Sequence, residues 1–350
     1  MDKETESKAR GGYPAFWKPS RIFLLWRAAL PAAAIFLLIE LYDELYYGVT
    51  GAVLPAVRAA LSLSYVEVGL LLGVPGILSS LVEPLIFLLG DTGLRRRLII
   101  GGGLLVALSA ALYAASGSFI WLLLAAALSY PASGAFVSLS QATLVDLNPG
   151  REAQMVARWD VAGSLGALAG PLLASAGFAL ALGWRPVLWM LAGMGLLLTL
   201  LAGASRFPSA GADDSRDRSI SAGDLWDNLK AGLRSRALLR WTLLLQLSDL
   251  LLDVFNGYAV LYFADVFRLA PGQTGLLLSG IMLAGLLSDV ALIPLLERLP
   301  GRALVRASAA VSCILYPLFL LAPWLPVKVG LALLVSFATM GWYPVLKGEA

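Results

Sequence analysis

The sequence has no histidine, a single cysteine and few charged residues. Without histidine, the chain lacks the commonest proton relay, general base and zinc ligand of proteins. Its one thiol, Cys313, lies in an apolar run, which rules out an intrachain disulfide and argues against a thiol nucleophile. We therefore expect no bound metal, no cofactor and no chemistry that depends on these two residue types.

Charged residues make up only 14% of the 350 residues, whereas 59% are hydrophobic, and the mean hydropathy is +0.80. A soluble domain carries about 25% charged residues and rarely contains apolar runs of about twenty. The residues before Ser20 are polar and show no cleavable signal pattern. The composition predicts an all-α polytopic membrane protein.

Charged residues, prolines and glycines divide the chain into ten apolar segments, each near the length of a membrane-spanning helix. The segments are 27–57, 65–90, 98–116, 119–145, 154–182, 184–204, 237–265, 272–296, 302–322 and 324–346. They predict four parts: a cytoplasmic N-terminal segment 1–26, a six-helix bundle 27–204, a cytoplasmic central loop 205–236 and a four-helix bundle 237–350.

The Lys and Arg residues are distributed unevenly between the two ends of these predicted helices. If the N-terminus lies in the cytoplasm and the segments alternate in direction, 22 of the 26 fall on the cytoplasmic side. The four on the outer side are Arg58, Arg185, Arg268 and Lys328. Since cytoplasmic loops carry an excess of positive charge, this predicts a cytoplasmic N-terminus in a plasma, or inner, membrane.

The first part of the chain repeats in the second part with a shift of 206 residues. The polar and glycine coincidences are Asp43 with Asp249, Gly51 with Gly257, Glu83 with Asp289, Asp91 with Glu297 and Arg96 with Arg302. Two copies in the same membrane orientation are the plan of transporters that rock one bundle against the other, with the substrate site between them. Because 154–204 has no counterpart, the repeat predicts that helices 11 and 12 are missing.

Two of the predicted helices carry a polar face near the middle of the membrane. With spacings of i, i+3 or i+4 and i+7, the residues of each set share one side of their helix. The sets are Glu40, Asp43, Glu44 and Tyr47 in the first helix, and Gln246, Asp249, Asp253 and Asn256 in the seventh. Ionisable side chains at this depth are costly, so we interpret both faces as the substrate- and proton-binding site.

The charge of these two faces favours a cation or protons as the species bound there. No Lys or Arg lies at mid-depth opposite the carboxylates. Burial and crowding favour the protonated form of a carboxylate, so we expect at least one of them to load and release protons. Two alternatives stay open: a carboxylate that serves packing only, through a hydrogen bond to Tyr or Asn, and direct coordination of a cation without protons.

A second set of residues is expected to act in gating and conformational change: Glu83, Asp91, Arg95, Arg96, Asp289, Gly166, Gly170 and Pro171. Glu83 and Asp289 lie toward the cytoplasmic ends of their helices. They act either at a cytoplasmic gate or as interfacial carboxylates paired with the basic cluster 95–97. The stripe of small residues from Gly166 to Pro171 lies on the fifth helix, where such stripes let helix backbones approach closely.

Two stretches resemble motifs of the major facilitator superfamily. The turn from Gly90 to Arg97 is similar to that family's Asp-containing, Gly- and Arg-rich loop between helices 2 and 3. Gly166-Ala-Leu-Ala-Gly170-Pro171 resembles the Gly-x-x-x-Gly-Pro pattern in helix 5 of its drug/proton antiporters. Among the subfamilies, the stretches 43–44, 55 and 61–69 loosely resemble efflux proteins of the fosmidomycin-resistance type.

The resemblance implies a two-bundle helical fold that works by alternating access, in which helices 1 and 7 line the cavity. With the acidic faces, it predicts a secondary active transporter, a proton-coupled exporter of a small amphipathic or cationic compound. An importer of a sugar or an organic acid is the alternative. An intramembrane aspartyl protease is weighed as an enzyme, but its Gly-x-Gly-Asp motif is absent, so we predict no enzyme. The expected partners of this monomer are a small-molecule substrate, protons and the lipid bilayer, with no nucleic acid.

Overall fold

The computed structural model of the protein describes residues 32–91, 93–205, 235–296 and 298–339, together with Trp342 and Val345. The described residues form ten helices: α1 (Ala32–Leu61), α2 (Tyr65–Gly90), α3 (Arg95–Ala115), α4 (Phe119–Asp146), α5 (Glu152–Ala179), α6 (Trp184–Ala204), α7 (Arg236–Phe267), α8 (Pro271–Leu296), α9 (Gly301–Leu321) and α10 (Leu325–Thr339). The predicted N-terminal segment 1–26 and most of the predicted central loop lie outside the described residues.

The ten helices correspond one to one with the ten predicted apolar segments. α1 continues to Leu61 instead of stopping at 57, and α5 spans Glu152–Ala179 instead of 154–182. Arg58 therefore lies in the last turn of a helix rather than in a loop. Within α4, a π-helical turn, Gly134–Ser138, interrupts the α-helical hydrogen bonding, and no sequence pattern predicts it.

Local sequence signals explain where α2 begins. The Ser64 hydroxyl accepts from the backbone N–H of Glu67 at 3.2 Å, and the Glu67 carboxylate accepts from the backbone N–H of Ser64 at 2.8 Å. This capping box supplies partners for two N–H groups at a terminus whose first turn has none within the helix. The loop between α1 and α2 is therefore limited to the three residues 62–64.

Seven of the helices, α2 to α6 together with α8 and α9, are long and apolar enough to cross a membrane. Their outer faces carry large apolar side chains that a soluble protein would bury. Ile77, Leu81 and Leu321, for example, are 66%, 70% and 79% exposed. Apolar surface of this extent requires lipid around it, which agrees with the predicted polytopic membrane protein.

Contacts between helix termini identify which loops share an end of the bundle. Arg95 at the start of α3 forms an ion pair with Asp146 at the end of α4. We call this the linker end, because the segment 206–234 also leaves from it. At the opposite end, which we call the hairpin end, Arg185 at the start of α6 donates to the carbonyl of Ser116 after α3 at 2.9 Å.

The 206-residue repeat of the sequence reappears in the helix bounds. Shifted by 206, α2 coincides with α8 and α3 with α9 at both ends. The contacts between the halves follow the same symmetry. A Cβ at Gly51 would lie 3.5 Å from the Leu278 side chain, and one at Gly257 would lie 2.9 Å from that of Leu72. Both the glycines and the leucines are repeat-related pairs, so a pseudo-twofold axis relates the halves.

α1 and α5 pack against each other at a crossing lined by glycine. A Cβ at Gly166 would lie 2.2 Å from the carbonyl oxygen of Leu41. A Cβ at Gly170 would lie 2.8 Å from the Cα of Gly48. No side chain fits at these positions, so the two backbones approach as closely as small-residue stripes allow. The crossing fixes the position of α1 along α5.

Candidate substrate and ion site

The central residue of the site is Asp43, on the face of α1 that meets α4. Only 8% of Asp43 is exposed. The Ser133 hydroxyl donates to its carboxylate and lies 2.9 Å from Oδ1 and 3.0 Å from Oδ2. Within the described ranges, no Lys or Arg forms an ion pair with Asp43. A buried carboxylate without a cationic partner is suited to taking up a proton or a cation.

Glu40 lies one turn before Asp43, on the side of α1 next to α5. The Trp159 side chain donates a hydrogen bond to Glu40. Glu40 Oε1 lies 2.6 Å from the position that a Cβ at Gly163 would take, so the missing side chain makes room for the carboxylate. Asp160 adds further negative charge around Glu40. α5 therefore contributes Trp159, Asp160 and Gly163 to the surroundings of the acidic face.

The other two residues of the predicted α1 face are Glu44 and Tyr47, both partly buried. The Glu44 Cβ lies 2.9 Å from the position of a Cβ at Gly166, so Glu44 borders α5. Tyr47 packs edge-on against Tyr130 of α4, with ring centroids 5.2 Å apart. All four predicted α1 residues therefore lie on the side of α1 that is flanked by α4 and α5.

Glu83 of α2 packs against α4 at the level of Asp43. Ser79 donates to Glu83 Oε1 at 2.5 Å, and the same oxygen lies 2.9 Å from the position of a Cβ at Gly134. Asp43 and Glu83 each lie 18 residues from the hairpin end of their helices, or about 27 Å at 1.5 Å per residue. The described partners of Glu83 are thus on α2 and α4 rather than in the basic cluster 95–97.

The second half carries the rest of the predicted site. Gln246, Asp249 and Asp253 lie in α7, but their side chains are outside the described part of the structure. Asn256, one turn further along α7, is half-buried. Asp289, which corresponds to Glu83 in the 206-residue repeat, has a buried Oδ1 with no hydrogen-bond partner among the described groups. The roles of these residues stay predictions.

Asp91, Arg95 and Arg96 form a brace within the first half at the linker end. The Arg95 guanidinium lies 3.4 Å from Asp91 and also forms an ion pair with Asp146 of α4. Arg96 donates to the carbonyl of Gly203 in α6 at 2.6 Å. The brace joins the linker-end termini of α2, α3, α4 and α6, so it holds the first bundle together as a unit.

The same helix that crosses α1 also contacts the second half. Ser175 of α5 donates to the carbonyl of Pro171 at 2.8 Å and to that of Gly272, at the start of α8, at 3.0 Å. A Cβ at Gly275 would lie 2.3 Å from Ser175 Oγ. α5 therefore connects the glycine crossing on one side with the interface between the halves on the other.

A polar latch, formed by Arg58, Tyr65 and Asp265, joins the halves at the hairpin end. Asp265 of α7 accepts from Arg58 of α1 and from Tyr65 of α2, both at 2.5 Å. The Arg58 guanidinium also lies over the Tyr65 ring, 4.2 Å from its centroid. In the sequence, Arg58 stands out only as an outer-side cation. Its partner is 207 residues away, a separation that no local pattern reveals.

We expect the substitution Arg58→Gln to loosen the closure at the hairpin end. The ion pair is partly exposed, so its loss costs about 1 kcal/mol, or roughly a fivefold change in the ratio of closed to open molecules. Spin labels at Ser118 and Pro323, introduced as cysteines in a C313S background, report the separation of the halves. Arg268→Gln, which removes another exposed cation at this end, is the control. Identical distance distributions in both variants would refute the latch.

An apolar groove of about 580 Å³ lies between α1 and α5 on the linker side of their crossing. It is lined by Leu37, Leu41, Val161 and Leu165 and by one cation, Arg158. Nowhere in the described ranges do three or more His, Cys, Asp or Glu side chains form a group that could hold a metal ion. The groove and the acidic face therefore place apolar and anionic surfaces on the same helix, α1.

The sequence matches the family model of the Major Facilitator Superfamily over residues 13–346, and the chain belongs to that superfamily. None of the curated proteins matches it. In structure it is similar to a bacterial homolog of the human lysosomal transporter Spinster, in an inward-facing and unoccupied conformation. The TM-score is 0.74 at 16% identity, over 92% of this chain and 74% of the other.

Two further solved structures are similar to the chain. The nucleoside transporter NupG has a TM-score of 0.72 at 13% identity, over 91% of this chain and 81% of the other. The human organic anion transporter MFSD10 (TETRAN) has a TM-score of 0.59 at 23% identity, over 91% of this chain and 84% of the other. At these identities the likeness shows the fold, and it confirms the predicted all-α, two-bundle fold of the superfamily.

Proposed function

We propose that the protein is a proton-coupled exporter of small amphipathic or cationic compounds that works by alternating access. The observation that carries this proposal is Asp43, which is buried, bonded to Ser133 and without a described ion-pair partner. Glu40 and Glu44 add negative charge on the same face of α1. A cationic substrate and protons compete for such a face, and this competition is what antiport requires.

The distribution of Lys and Arg supports a linker end in the cytoplasm of a plasma, or inner, membrane. In that orientation the latch closes the outer side, and the contact of Ser175 with Gly272 lies on the same side. This arrangement corresponds to a state in which the acidic face is reached from the cytoplasm. The bundles 27–204 and 237–350 are the two moving bodies of a monomeric transporter.

The second half completes the site in this proposal through α7. Pseudo-twofold symmetry supports the assignment, because it places Asp249 at the register position of Asp43, on the same face as Gln246, Asp253 and Asn256. Asp289 and Glu83 then act as a symmetric pair on α8 and α2. The brace of Asp91, Arg95 and Arg96 keeps the first bundle rigid while it rocks, and the glycine crossing holds α1 to α5.

The apolar groove supports an amphipathic substrate rather than a sugar. Leu37, Leu38 and Leu41 of α1 line it beside Val161, Leu165 and Arg158 of α5. Glu40 and Glu44 lie on the adjoining side of α1. If the protein instead imported an organic acid, it would need a cationic side chain near the carboxylates. Within the described residues, no Lys or Arg is paired with Asp43.

Transport into proteoliposomes that contain the full chain tests this proposal. With an acidic interior and a neutral exterior, ethidium should accumulate well above its level in protein-free vesicles. With the gradient reversed, so that the exterior is acidic, benzoate and glucose, as probes of the importer alternatives, should not accumulate above their levels in protein-free vesicles. Accumulation of either probe in the reversed gradient, without accumulation of ethidium in the first, would replace the exporter by the importer, and accumulation of none in either gradient would refute coupling to the pH gradient.

A further inference from the structure

We propose that Ser133 is a positioning residue of the coupling site, which links the protonation of Asp43 to the π-helical turn of α4. Ser133 is the last residue before that turn, Gly134–Ser138. The inference deepens the proposed function and depends on it, because it assigns to α4 the task of sensing whether Asp43 is charged.

The hydrogen bond of Ser133 differs from those of the other hydroxyls in α4. Ser140 and Thr143 donate to the carbonyl four residues earlier in their own helix, at 2.5 and 2.7 Å. Ser129 donates to a carbonyl three residues earlier and is also a hydrogen-bond partner of the Tyr46 hydroxyl of α1. Ser133 instead donates to a carboxylate of α1 and lies almost equally far from the two oxygens of Asp43, with the Tyr47 hydroxyl as a further hydrogen-bond partner. This geometry fits a hydroxyl that donates to an ionised carboxylate.

A proton on Asp43 changes what Ser133 is able to do. The protonated acid carries its own O–H donor, so one of the two hydroxyl groups must accept or turn away. A Ser133 hydroxyl that no longer donates to Asp43 can donate a hydrogen bond to a backbone carbonyl of its own helix, and such bonds bend helices. Because Ser133 adjoins the π-helical turn, the bend would fall where the α-helical hydrogen bonding is already interrupted.

Three helices of the first half contact the residues in and next to this turn. α1 holds it through Asp43 and Ser133, and α2 holds it through Glu83, which lies against Gly134. On α3, a Cβ at Gly102 would lie 2.8 Å from the backbone N of Phe136 within the turn. Turns of this kind are rare and frequently occur at functional sites. A change at Ser133 therefore reaches α1, α2 and α3 together.

The titratable groups that face Asp43 from the surrounding elements carry negative charge or none. They are Glu40, Tyr42, Glu44, Tyr46 and Tyr47 of α1, Glu83 of α2 and, through Tyr47 and Glu40, Tyr130 of α4 and Asp160 of α5. The carboxylates among them oppose a charge on Asp43, whereas the Ser133 hydroxyl favours it. Removing that hydroxyl should therefore let Asp43 bind a proton more tightly.

The experiment follows the opening of the reconstituted full chain as a function of pH, without substrate. Spin labels at Ser118 and Pro323 in a C313S background report the separation of the halves between pH 5 and 9. In Ser133→Ala, the pH at half-change should rise by about one unit, which corresponds to a tenfold gain in proton affinity. The isosteric pair Ser133→Thr, which keeps the hydroxyl, and Ser133→Val, which lacks it, repeats the comparison independently of side-chain size.

Ser138→Ala is the matched control, because Ser138 is an exposed serine in the same turn. Its midpoint should equal that of the parent, as should that of Ser133→Thr. Suppose that the separation of the halves does not depend on pH in Asp43→Asn, while Ser133→Ala and Ser133→Val change at the same pH as the parent. The role of Ser133 is then refuted, and proton coupling through Asp43 stands. A parent without any pH response, or an Asp43→Asn variant that retains it, refutes the proposed coupling and this inference with it.

Discussion

Replacing Asp43 by Asn should abolish coupling to the pH gradient while the protein stays folded. Asn has nearly the same shape, and its amide oxygen still accepts from Ser133, but it carries no charge that a proton could neutralise. Gradient-driven accumulation of ethidium in proteoliposomes should fall by at least about tenfold, since protons and the cation no longer compete for one group. Downhill movement of ethidium without a gradient should persist at a reduced rate.

Glu152→Gln is the control for the loss of one carboxylate. Glu152 is exposed at the linker-end start of α5 and bonds only locally, to the backbone N–H of Gly150 at 2.7 Å. Its accumulation of ethidium should match that of the unmodified protein. If Asp43→Asn also retained accumulation within a factor of about two, the coupling group would have to be sought elsewhere, with Asp249 and Glu83 as the next carboxylates to change.

Replacing Gly166 by Ala should destabilise the first bundle more than any other single methyl group added to α5. The new Cβ would lie 2.2 Å from the carbonyl oxygen of Leu41, a backbone atom that cannot turn aside as a side chain can. Overpacking of this kind costs about 3 kcal/mol at the upper end of its usual range. The apparent unfolding temperature should therefore fall by roughly 6–12 °C, as measured by thermal unfolding in detergent.

Gly193→Ala in α6 separates this steric effect from the loss of a glycine. No atom lies within 4 Å of the position that its Cβ would take. Because Ala favours the helix by about 1 kcal/mol over Gly, this variant should unfold at the same temperature as the parent or slightly above it. If Gly166→Ala unfolded together with Gly193→Ala, α1 and α5 would not be packed as tightly as the crossing requires.

The positions of the helices can be predicted from the sequence because long apolar runs indicate membrane-spanning helices. The breaks at Pro, Gly and charged residues lie within about three residues of both observed ends of α2 to α9. The shift of 206 residues recurs in the bounds of α2 and α8 and of α3 and α9, since repeated break signals end the helices at repeated places. The spacing of Glu40, Asp43 and Tyr47 likewise predicts their common face.

The partners of those residues depend on how the helices pack, which no spacing within one helix encodes. Ser133 is one hydroxyl among several in α4, and only the position of α1 makes it the partner of Asp43. Glu83 lies toward the cytoplasmic end in the sequence, but the missing side chain at Gly134 lets it approach α4 at the depth of Asp43. The latch at Asp265 joins residues from opposite halves of the chain.

The most direct test of the proposed function measures proton movement and ethidium movement in the same vesicles. Proteoliposomes with the full chain and pyranine inside, at equal pH on both sides, receive ethidium from outside. The account predicts that ethidium entry drives protons out, so the internal pH rises, and that Asp43→Asn removes the rise. Ethidium entry through the unmodified protein at constant internal pH would contradict coupling between the two.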